Sequence, residues 1–359
     1  MTALNSTQIV RAIDVGYGNT KFVAYHNHGS NIQCSIFPSI APHASCGDDL
    51  NGGIFQRRNT VKIEINGVIY EVGKDSRLAQ DASYGRTLTS DYSLSDHYMA
   101  LVRGAIYYMG VPKIDLLVVG LPVNTHSLHK DELEKRLKGI HLVPTTVDGQ
   151  PSAKENIEVC VKEVRVLPQP IGAFFDYSIT NSLYGKMKSQ MNLIIDPGYY
   201  TLDWVVSHGV KTVNARSGAH SGGMSAILSA MAEPIGKDIG VQLTDLTSID
   251  EALRSGKNPS FFGKEFDINK YISLGKEKAR QFVGVMVTKV GSKGVDIDNI
   301  ILAGGGAEFF KEIIQESFPN HKLVVTQDPV FANVRGFQLA GEQFANQETF
   351  LKQRSEATL

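Results

Sequence analysis

Two segments of the sequence place an acid, a glycine and polar side chains where an apolar run ends. Residues 12–25 read AIDVGYGNTKFVAY, and residues 192–206 read NLIIDPGYYTLDWVV. Each pattern predicts a strand, a tight turn and a returning strand. Because glycine has no Cβ, a phosphate can lie against the backbone N–H groups of such a turn. The acids suit a hydrated Mg²⁺, which takes few protein carboxylates.

The first segment offers ligands for both the phosphate and the metal ion. Lys21 adds positive charge where β- and γ-phosphates would need it, and Asp14 has the charge that suits Mg²⁺. Asp196 fits the same role in the second segment, so two acids facing each other across a cleft would hold a hydrated Mg²⁺ between them. Taken alone, either segment is better explained by an ordinary tight turn.

Neither segment is one of the two common nucleotide motifs. The P-loop pattern GxxxxGK[ST] is absent from both. The letters GYGNTK lack the third glycine of the dinucleotide fingerprint, and a strand resumes where that motif needs a helix.

A third glycine-rich segment, ILAGGGAEFF, stands between a predicted buried strand and a predicted helix. Gly304, Gly305 and Gly306 would let a flat ring or a ribose approach the backbone, and the helix N-terminus favours a nearby phosphate. The alternative is a plain strand-to-helix turn.

Hydrophobic periodicity assigns the elements that would carry these motifs. Strands are predicted at 10–15 and 21–25 and in the alternating segment KENIEVCVKEVRVL, and a hairpin turn is predicted at Asn66-Gly67. The first two segments lie about half the chain apart, which indicates an internal repeat on the scale of a domain. Helices are predicted at 96–109, 127–137, 221–237, 249–255 and 268–290, the last with an N-cap at Asp267.

Composition limits the classes of function. The chain has 359 residues, 42% of them hydrophobic and 20% charged, and a net charge of −1. It is long enough for a two-lobed globular fold, and it has no overall field that would favour direct nucleic-acid binding. Three cysteines without framework spacing indicate a reducing compartment. With no visible secretory signal or membrane-length apolar run, we expect a cytoplasmic protein without membrane contact.

One cluster contains residues that zinc commonly takes as ligands. Five such residues fall within 21 positions: His26, His28, Cys34, His43 and Cys46. Their spacing matches no compact zinc motif, so no metal is predicted there.

Together the three glycine-rich segments resemble the nucleotide-binding core of the actin, Hsp70 and sugar-kinase superfamily. IDVGYGNTK is similar to its first phosphate loop, IIDPGYYTLD to its second and ILAGGGAEFF to its adenosine loop. LPQPIGAFF and DPVFANVRGFQLAG are similar to its connecting helices. ANVRGF and the short C-terminal helix resemble the bacterial plasmid-segregation actins of the ParM/StbA type, and DPGYYTLDW resembles the D protein of PRTRC systems.

The resemblance implies an α/β fold of the two-lobed actin type, a duplicated RNase H-like architecture with a nucleotide cleft between the lobes. Domain I would comprise residues 1–170 and 330–359, with a small β-rich subdomain at about 31–90. Domain II would comprise residues 171–329.

The resemblance also implies that the protein binds Mg-ATP, with GTP as the other possible nucleotide. Asp14 and Asp196 would position Mg²⁺ through water, and Gln169 would orient the attacking water. Tyr199 and Tyr200 stand where relatives carry another Gly and a Thr, so their side chains are expected to point away. The residues expected to bind the nucleotide are Gly16, Tyr17, Gly18, Asn19, Thr20, Lys21, Gly198, Tyr199, Tyr200, Thr201, Asp203, Gly304, Gly305, Gly306 and Glu308.

The implied function is an ATPase that forms filaments, in which ATP favours the polymer and ADP loosens it. Its partners would be further copies of itself and a DNA-binding adaptor on a plasmid, and exposed residues of 31–90 would contribute to longitudinal assembly. Two alternatives stay open. One is a small-molecule kinase of the same superfamily, which needs a carboxylate base beside an acceptor pocket. The other is a nonfilamentous scaffold that binds ATP without turnover.

Overall fold

The structure is a computed structural model that describes residues 8–26, 32–44, 57–79, 89–147, 150–291 and 294–356. The chain divides into two compact units, one formed by Met1–Ser182 with Phe331–Leu359 and the other by Leu183–Val330. The strands are β1 (Val10–Val15), β2 (Asn19–Tyr25), β3 (Gln33–Pro38), β4 (Thr60–Ile65), β5 (Val68–Gly73), β6 (Lys113–Leu121), β7 (Gly139–Val147), β8 (Gln150–Pro168), β9 (Met191–Pro197), β10 (Leu202–His208), β11 (Lys211–Thr212), β12 (Gly218–His220), β13 (Ser260–Phe261), β14 (Lys264–Glu265), β15 (Asn299–Leu302) and β16 (Leu323–Val325). The helices are α1 (Asp96–Met109), α2 (Val123–Leu137), α3 (Gln169–Thr180), α4 (Tyr184–Met187), α5 (Met224–Ile239), α6 (Thr247–Ser255), α7 (Asn269–Val290), α8 (Ala307–Ser317) and α9 (Ala332–Glu356).

The first unit is built on a six-stranded sheet with the strand order β3-β2-β1-β6-β8-β7. Strands β1, β6 and β8 are parallel neighbours, so their carboxyl ends lie at one edge of the sheet, where α/β folds place their ligand-binding residues. Strand β2 returns antiparallel to β1, as predicted. Strand β3 pairs with β2, so residues 33–38 belong to this sheet rather than to the subdomain expected at about 31–90.

A separate two-stranded sheet, β4-β5, contains the predicted hairpin turn. Asn66 and Gly67 have φ values of 51° and 80°, the left-handed pair that a type I′ turn requires and that these residue types adopt readily. The prediction of a hairpin at this point is confirmed.

Helix α1 has the bounds that the sequence predicts. The Ser95 side chain accepts a hydrogen bond from the backbone N–H of Tyr98 at 3.2 Å, which caps the start of the helix. Gly110 has a φ of 60° and ends it in the left-handed conformation. Helix α2 begins at Val123, four residues before the predicted start at 127. Pro122 occupies the N-cap position, and its carbonyl oxygen accepts hydrogen bonds from the N–H groups of Thr125 and His126.

Helices α3 and α9 lie against each other with their backbones in contact. A Cβ on Gly336 would overlap the carbonyl oxygen of Gly172, and a Cβ on Gly172 would overlap the backbone of Asn333. Beside this contact the Arg335 guanidinium donates to both carboxylate oxygens of Asp176, at 2.9 and 2.8 Å. A two-pronged pair of this kind adds directional as well as electrostatic stabilisation.

The second unit repeats part of this arrangement around a sheet with the order β11-β10-β9-β15-β16. Strand β9 is antiparallel to β10 and parallel to β15, so the strand–turn–strand prediction for the second segment is confirmed. Trp204 lies in the core of this unit with 1% of its surface exposed, and its Nε1 donates to the Arg216 carbonyl oxygen at 2.9 Å.

The predicted helix starts in the second unit are shifted by one to three residues, whereas the predicted last residues of α6 and α7, 255 and 290, are confirmed. Helix α5 begins at Met224 rather than 221, because extended backbone at Gly223 precedes it. Helix α7 begins at Asn269, whose N–H donates to the Asp267 side chain at 3.1 Å, so Asp267 stands one residue before the N-cap. Of the helices in the described ranges, none has both the length and the hydropathy that a bilayer crossing requires.

Replacing Gly336 with Ala will separate α3 from α9. We expect the Gly336→Ala chain to lose about 3 kcal/mol of stability, because the added methyl group meets a backbone carbonyl that cannot rotate away. Gly284→Ala is the matched control. That glycine lies in helix α7 with open space around its Cβ position, so the change should stabilise the protein by about 0.5–1 kcal/mol. Urea denaturation measures both, and equal stabilities for the two variants would contradict the close packing.

Candidate nucleotide-binding site

The first glycine turn joins β1 to β2 and places an acid opposite a cation. In the strand ladder Asp14 is opposite Lys21, and side chains of directly opposed residues lie on the same face of the sheet. The turn is closed by a hydrogen bond from the Gly16 N–H to the Asn19 carbonyl oxygen at 3.1 Å.

Asp14 is the centre of a buried polar network. Only 1% of its surface is exposed. Lys21 Nζ donates to its Oδ2 at 3.0 Å, and Gln169 Nε2 donates to its Oδ1 at 2.8 Å. A carboxylate removed from water needs such partners, because an isolated buried charge is strongly unfavourable. The structure thus brings together the acid, the cation and the amide that the sequence analysis assigned to magnesium, phosphate and water.

The start of α3 positions Gln169. The residue follows β8 directly, and Pro168 and Pro170 flank it, which suits the first turn of a helix because an N–H is not needed there. Strand β8 ends at the same sheet edge as β1, so Gln169 and Asp14 meet there. Gly120 on the intervening strand β6 leaves space for the Gln169 side chain, because a Cβ at position 120 would lie only 2.9 Å from Cγ of Gln169.

Two predicted nucleotide contacts of the first turn direct their side chains into the protein. Thr20 is fully buried, with its hydroxyl 2.9 Å from the Ser39 hydroxyl. The Tyr17 hydroxyl donates to the Thr89 carbonyl oxygen at 3.0 Å, and its ring stacks on Tyr92. Both side chains are therefore engaged within the protein, so neither is directed towards a ligand at the turn.

The second turn has the backbone of the first but different charges. The Gly198 N–H donates to the Thr201 carbonyl oxygen at 2.8 Å, the counterpart of the bond that closes the first turn. The residue opposite Asp196 in the ladder is Asp203, so an acid takes the place of the lysine. Both acids are buried, with 7% and 2% of their surfaces exposed, and like charges in directly opposed positions repel each other.

The peptide groups of the second turn have a common orientation. The carbonyl oxygens of residues 198–200 accept hydrogen bonds from the N–H groups of residues 223–225, at 2.7–3.0 Å. In a trans peptide the carbonyl and the following N–H point in opposite directions, so the N–H groups of residues 199–201 point away from α5. Successive N–H groups on one side of a loop form a concavity that suits an anion. The Tyr199 ring packs against the core of the second unit, as expected for a side chain that points away.

The third glycine segment meets the second turn within the same unit, because β15 lies beside β9. Gly304 has a φ of 82°, and a Cβ on it would overlap the Asp196 carboxylate. The Gly306 N–H donates to the Pro197 carbonyl oxygen at 2.9 Å. Gly305 is exposed, so its backbone is accessible to a ligand.

The start of α8 carries Glu308, which is also exposed and has its carboxylate 3.9 Å from Lys311 Nζ. Among the expected nucleotide contacts, this acid is therefore accessible beside the third glycine segment.

Sequence reasoning missed Arg254 on helix α6. Its Nη2 lies 3.9 Å from the position that a Cβ on Gly305 would occupy, and its Nε donates to Asp250 at 3.0 Å. A guanidinium plane beside bare glycine backbone can stack on a flat ring. The sequence held no signal for this contact, because the two residues are about fifty positions apart and only the fold brings them together.

The histidine and cysteine cluster is only partly described. His28 and Cys46 lie outside the described residues, and His26 Nε2 is 2.7 Å from a carboxylate oxygen of Glu342. Within the described ranges, no three His, Cys, Asp or Glu side chains group in a way that would hold a metal ion.

Two family models match the chain in succession. Residues 12–172 match the N-terminal domain of actin-like proteins, and residues 194–316 match the C-terminal domain of MreB-like archaeal actin homologues. Among curated proteins the search found no match.

Solved structures of similar fold cover most of the chain. The archaeal actin homologue Ta0583 is 20% identical with a TM-score of 0.75, over 94% of this chain and 100% of its own, and a complex of it with ADP is also known. The psk41 ParM protein is 20% identical with a TM-score of 0.68, over 95% and 99% of the two chains. A 15-stranded ParM filament from Clostridium botulinum is 22% identical with a TM-score of 0.72, over 94% and 99%. At these identities the likeness shows the fold.

Replacing Lys21, the charged partner of Asp14, will destabilise the first unit. We expect Lys21→Met to lower the free energy of unfolding by about 3 kcal/mol, because a buried carboxylate loses its charged partner. Adding Asp14→Asn to this chain should recover at least half of the loss, since a neutral amide needs no cation. Lys62→Met, at an exposed position on β4, is the control and should change little. Urea denaturation of the natural chain, the two single variants Lys21→Met and Asp14→Asn, their double variant and the control measures the coupling, and additive losses in the double variant would contradict it.

Proposed function

Because the chain belongs to the actin-like proteins, we propose that it binds Mg-ATP and hydrolyses it slowly to control its own polymerisation. The observation that carries the proposal is the buried network of Asp14, Lys21 and Gln169. Phosphoryl transfer requires a protein mainly to position the phosphates and the nucleophile and to neutralise charge. A carboxylate, a cation and an amide within hydrogen-bond distance of one another would supply those functions.

The residues present fit a magnesium nucleotide. Lys21 would pair with a phosphate together with the backbone of Gly16, Gly18 and Asn19, and Asp14 would hold waters of the ion. In the second unit, Asp196 would likewise hold waters of the ion. The bound Mg²⁺ supplies neutralisation of phosphate charge.

Further phosphate contacts would come from the second glycine turn. The N–H groups of residues 199–201 share one direction and would donate to phosphate oxygens. Tyr199 and Tyr200 would thus contribute through the backbone, as Tyr17 would in the first turn.

The adenosine would bind beside the third glycine segment. Gly305 exposes its backbone for a flat ring, and Gly306 follows it at the start of α8. Arg254 would stack on the ring, and Glu308 would be an exposed acceptor for ribose hydroxyls. GTP is the second nucleotide to test, because backbone groups and a stacked guanidinium would accept either purine.

Gln169 would orient the attacking water. A carboxylate only accepts hydrogen bonds, so Asp14 holds the amide nitrogen of Gln169 and leaves the amide oxygen to accept from a water molecule. An amide is not a strong base, and hydrolysis should therefore be slow. A small-molecule kinase would need a carboxylate at such a position, and here an amide stands there.

The polymer would be a cytoplasmic filament that moves plasmid DNA. Two relatives of similar fold are ParM proteins, one of them solved as a filament, and these likenesses support self-assembly as the use of the nucleotide. The net charge of −1 favours attachment to DNA through a separate DNA-binding adaptor rather than directly.

The first experiment measures pelleting and phosphate release together over a range of protein concentration. ATP, GTP, ADP and a nonhydrolysable ATP analogue are compared in the presence of Mg²⁺. Pelleting above a critical concentration with triphosphate, followed by phosphate release and disassembly, is the expected result. Phosphate release that rises linearly with protein while nothing pellets would exclude the filament. ATP binding without phosphate release at any concentration would indicate a scaffold.

The variant Gln169→Ala will separate hydrolysis from assembly. We expect its phosphate release to fall about 100-fold, because the water loses its orienting group, while ATP still induces pelleting and the polymer persists longer than that of the natural chain. Gln281→Ala, at an exposed position on α7, is the matched control. Phosphate release by Gln169→Ala at the natural rate would remove Gln169 from the mechanism.

A further inference from the structure

Tyr17 is the one residue between the two glycines of the first turn, and two contacts attach it to a distant segment. Its ring stacks on Tyr92 with centroids 5.2 Å apart and planes inclined by 23°. Its hydroxyl donates to the carbonyl oxygen of Thr89 at 3.0 Å. The middle of the turn is therefore fastened to residues 89–95, which precede helix α1.

The segment that receives Tyr17 is itself held in place. The N–H of Tyr92 donates to the Thr89 carbonyl at 3.3 Å, and the N–H and hydroxyl of Ser95 donate to the Tyr92 carbonyl at 3.0 and 2.7 Å. Ser95 is also the N-cap of α1. Tyr92 is 6% exposed and packs edge-to-face on the fully buried Tyr98, with centroids 5.7 Å apart. The anchor of the turn is thus part of the core.

An anchor at this point has a physical use. Gly16 and Gly18 have wide backbone freedom, and a turn that binds an anion with its N–H groups must have them ordered. If the ligand had to order the turn, that entropy would be subtracted from its affinity. Because the Tyr17 ring holds the centre of the turn in place, the turn is already ordered before the ligand binds, and the ligand does not bear this entropy cost.

We infer that Tyr92 is a positioning residue for nucleoside triphosphate. It acts through Tyr17 to hold the first glycine turn in the conformation that receives phosphate. Tyr92 is buried, so its effect on the ligand passes through the Tyr17 ring. This inference rests on the proposed function and adds to it a residue outside the three glycine segments.

The test is a double-variant cycle on ATP affinity in the full-length chain. Tyr17→Ala and Tyr92→Leu should each raise the Kd for Mg-ATP about tenfold, measured by isothermal titration calorimetry. Because Tyr92 acts through Tyr17, the double variant should bind no more weakly than either single variant. Tyr92→Phe keeps the ring and should stay within about threefold of the natural Kd. Tyr25→Ala, an exposed tyrosine of the same unit, should bind as the natural chain does.

A second measurement needs no nucleotide and separates positioning from loss of structure. Hydrogen exchange of residues 16–19 should be faster in Tyr17→Ala and Tyr92→Leu, while the thermal midpoint of Tyr92→Phe stays at the natural value. Three results would overturn the inference: natural affinity in both single variants, additive losses in the double variant, or unchanged exchange in the turn. A natural chain that binds no nucleotide would end the proposed function and this inference together, and this outcome is distinguishable because the natural chain itself fails.

Discussion

A carboxylate buried at the end of β1 must find partners inside the protein, and the arrangement of the first unit meets that requirement. Asp14 cannot be solvated where it lies, so its charge is stabilised by a lysine from the returning strand and an amide from the start of α3. The lysine arrives through local geometry, because a tight turn places it directly opposite. The amide arrives through topology, because parallel strands end at a common edge.

The position of the Gln169 amide depends on the position of helix α3, of which Gln169 is the first residue. That helix is fixed by α9, whose backbone touches it at a pair of glycines and whose Arg335 is paired with Asp176. Helix α9 comes from the last part of the chain, and β1 comes from the first. The first unit therefore combines two segments of the chain that are separated by the whole second unit. Gln169, which completes the Asp14 network, depends on helix α9 from the later segment.

Local signals in the sequence predicted the parts of the fold that depend on local geometry. The Asn66-Gly67 turn, the bounds of α1 and both strand–turn–strand segments lie where the pattern indicated, because turn and cap residues act over a few positions. Pairings that depend on distant chain were not predictable. Three features follow from packing between distant parts of the chain, which a single sequence does not reveal. They are the direction of the Tyr17 side chain, the approach of Arg254 to Gly305 and the pairing of β3 with β2.

The two glycine turns show how one backbone serves two electrostatic purposes. Each is closed by the same N–H to carbonyl bond across three residues, and each follows a buried acid. Opposite that acid, however, stands a lysine in the first turn and a second acid in the second turn. The acid of the first turn therefore has a countercharge on the opposed strand, whereas the acid of the second turn does not have one at that position. The two turns therefore share a backbone conformation but not an arrangement of charge, because the returning strand places a different residue opposite the acid in each unit.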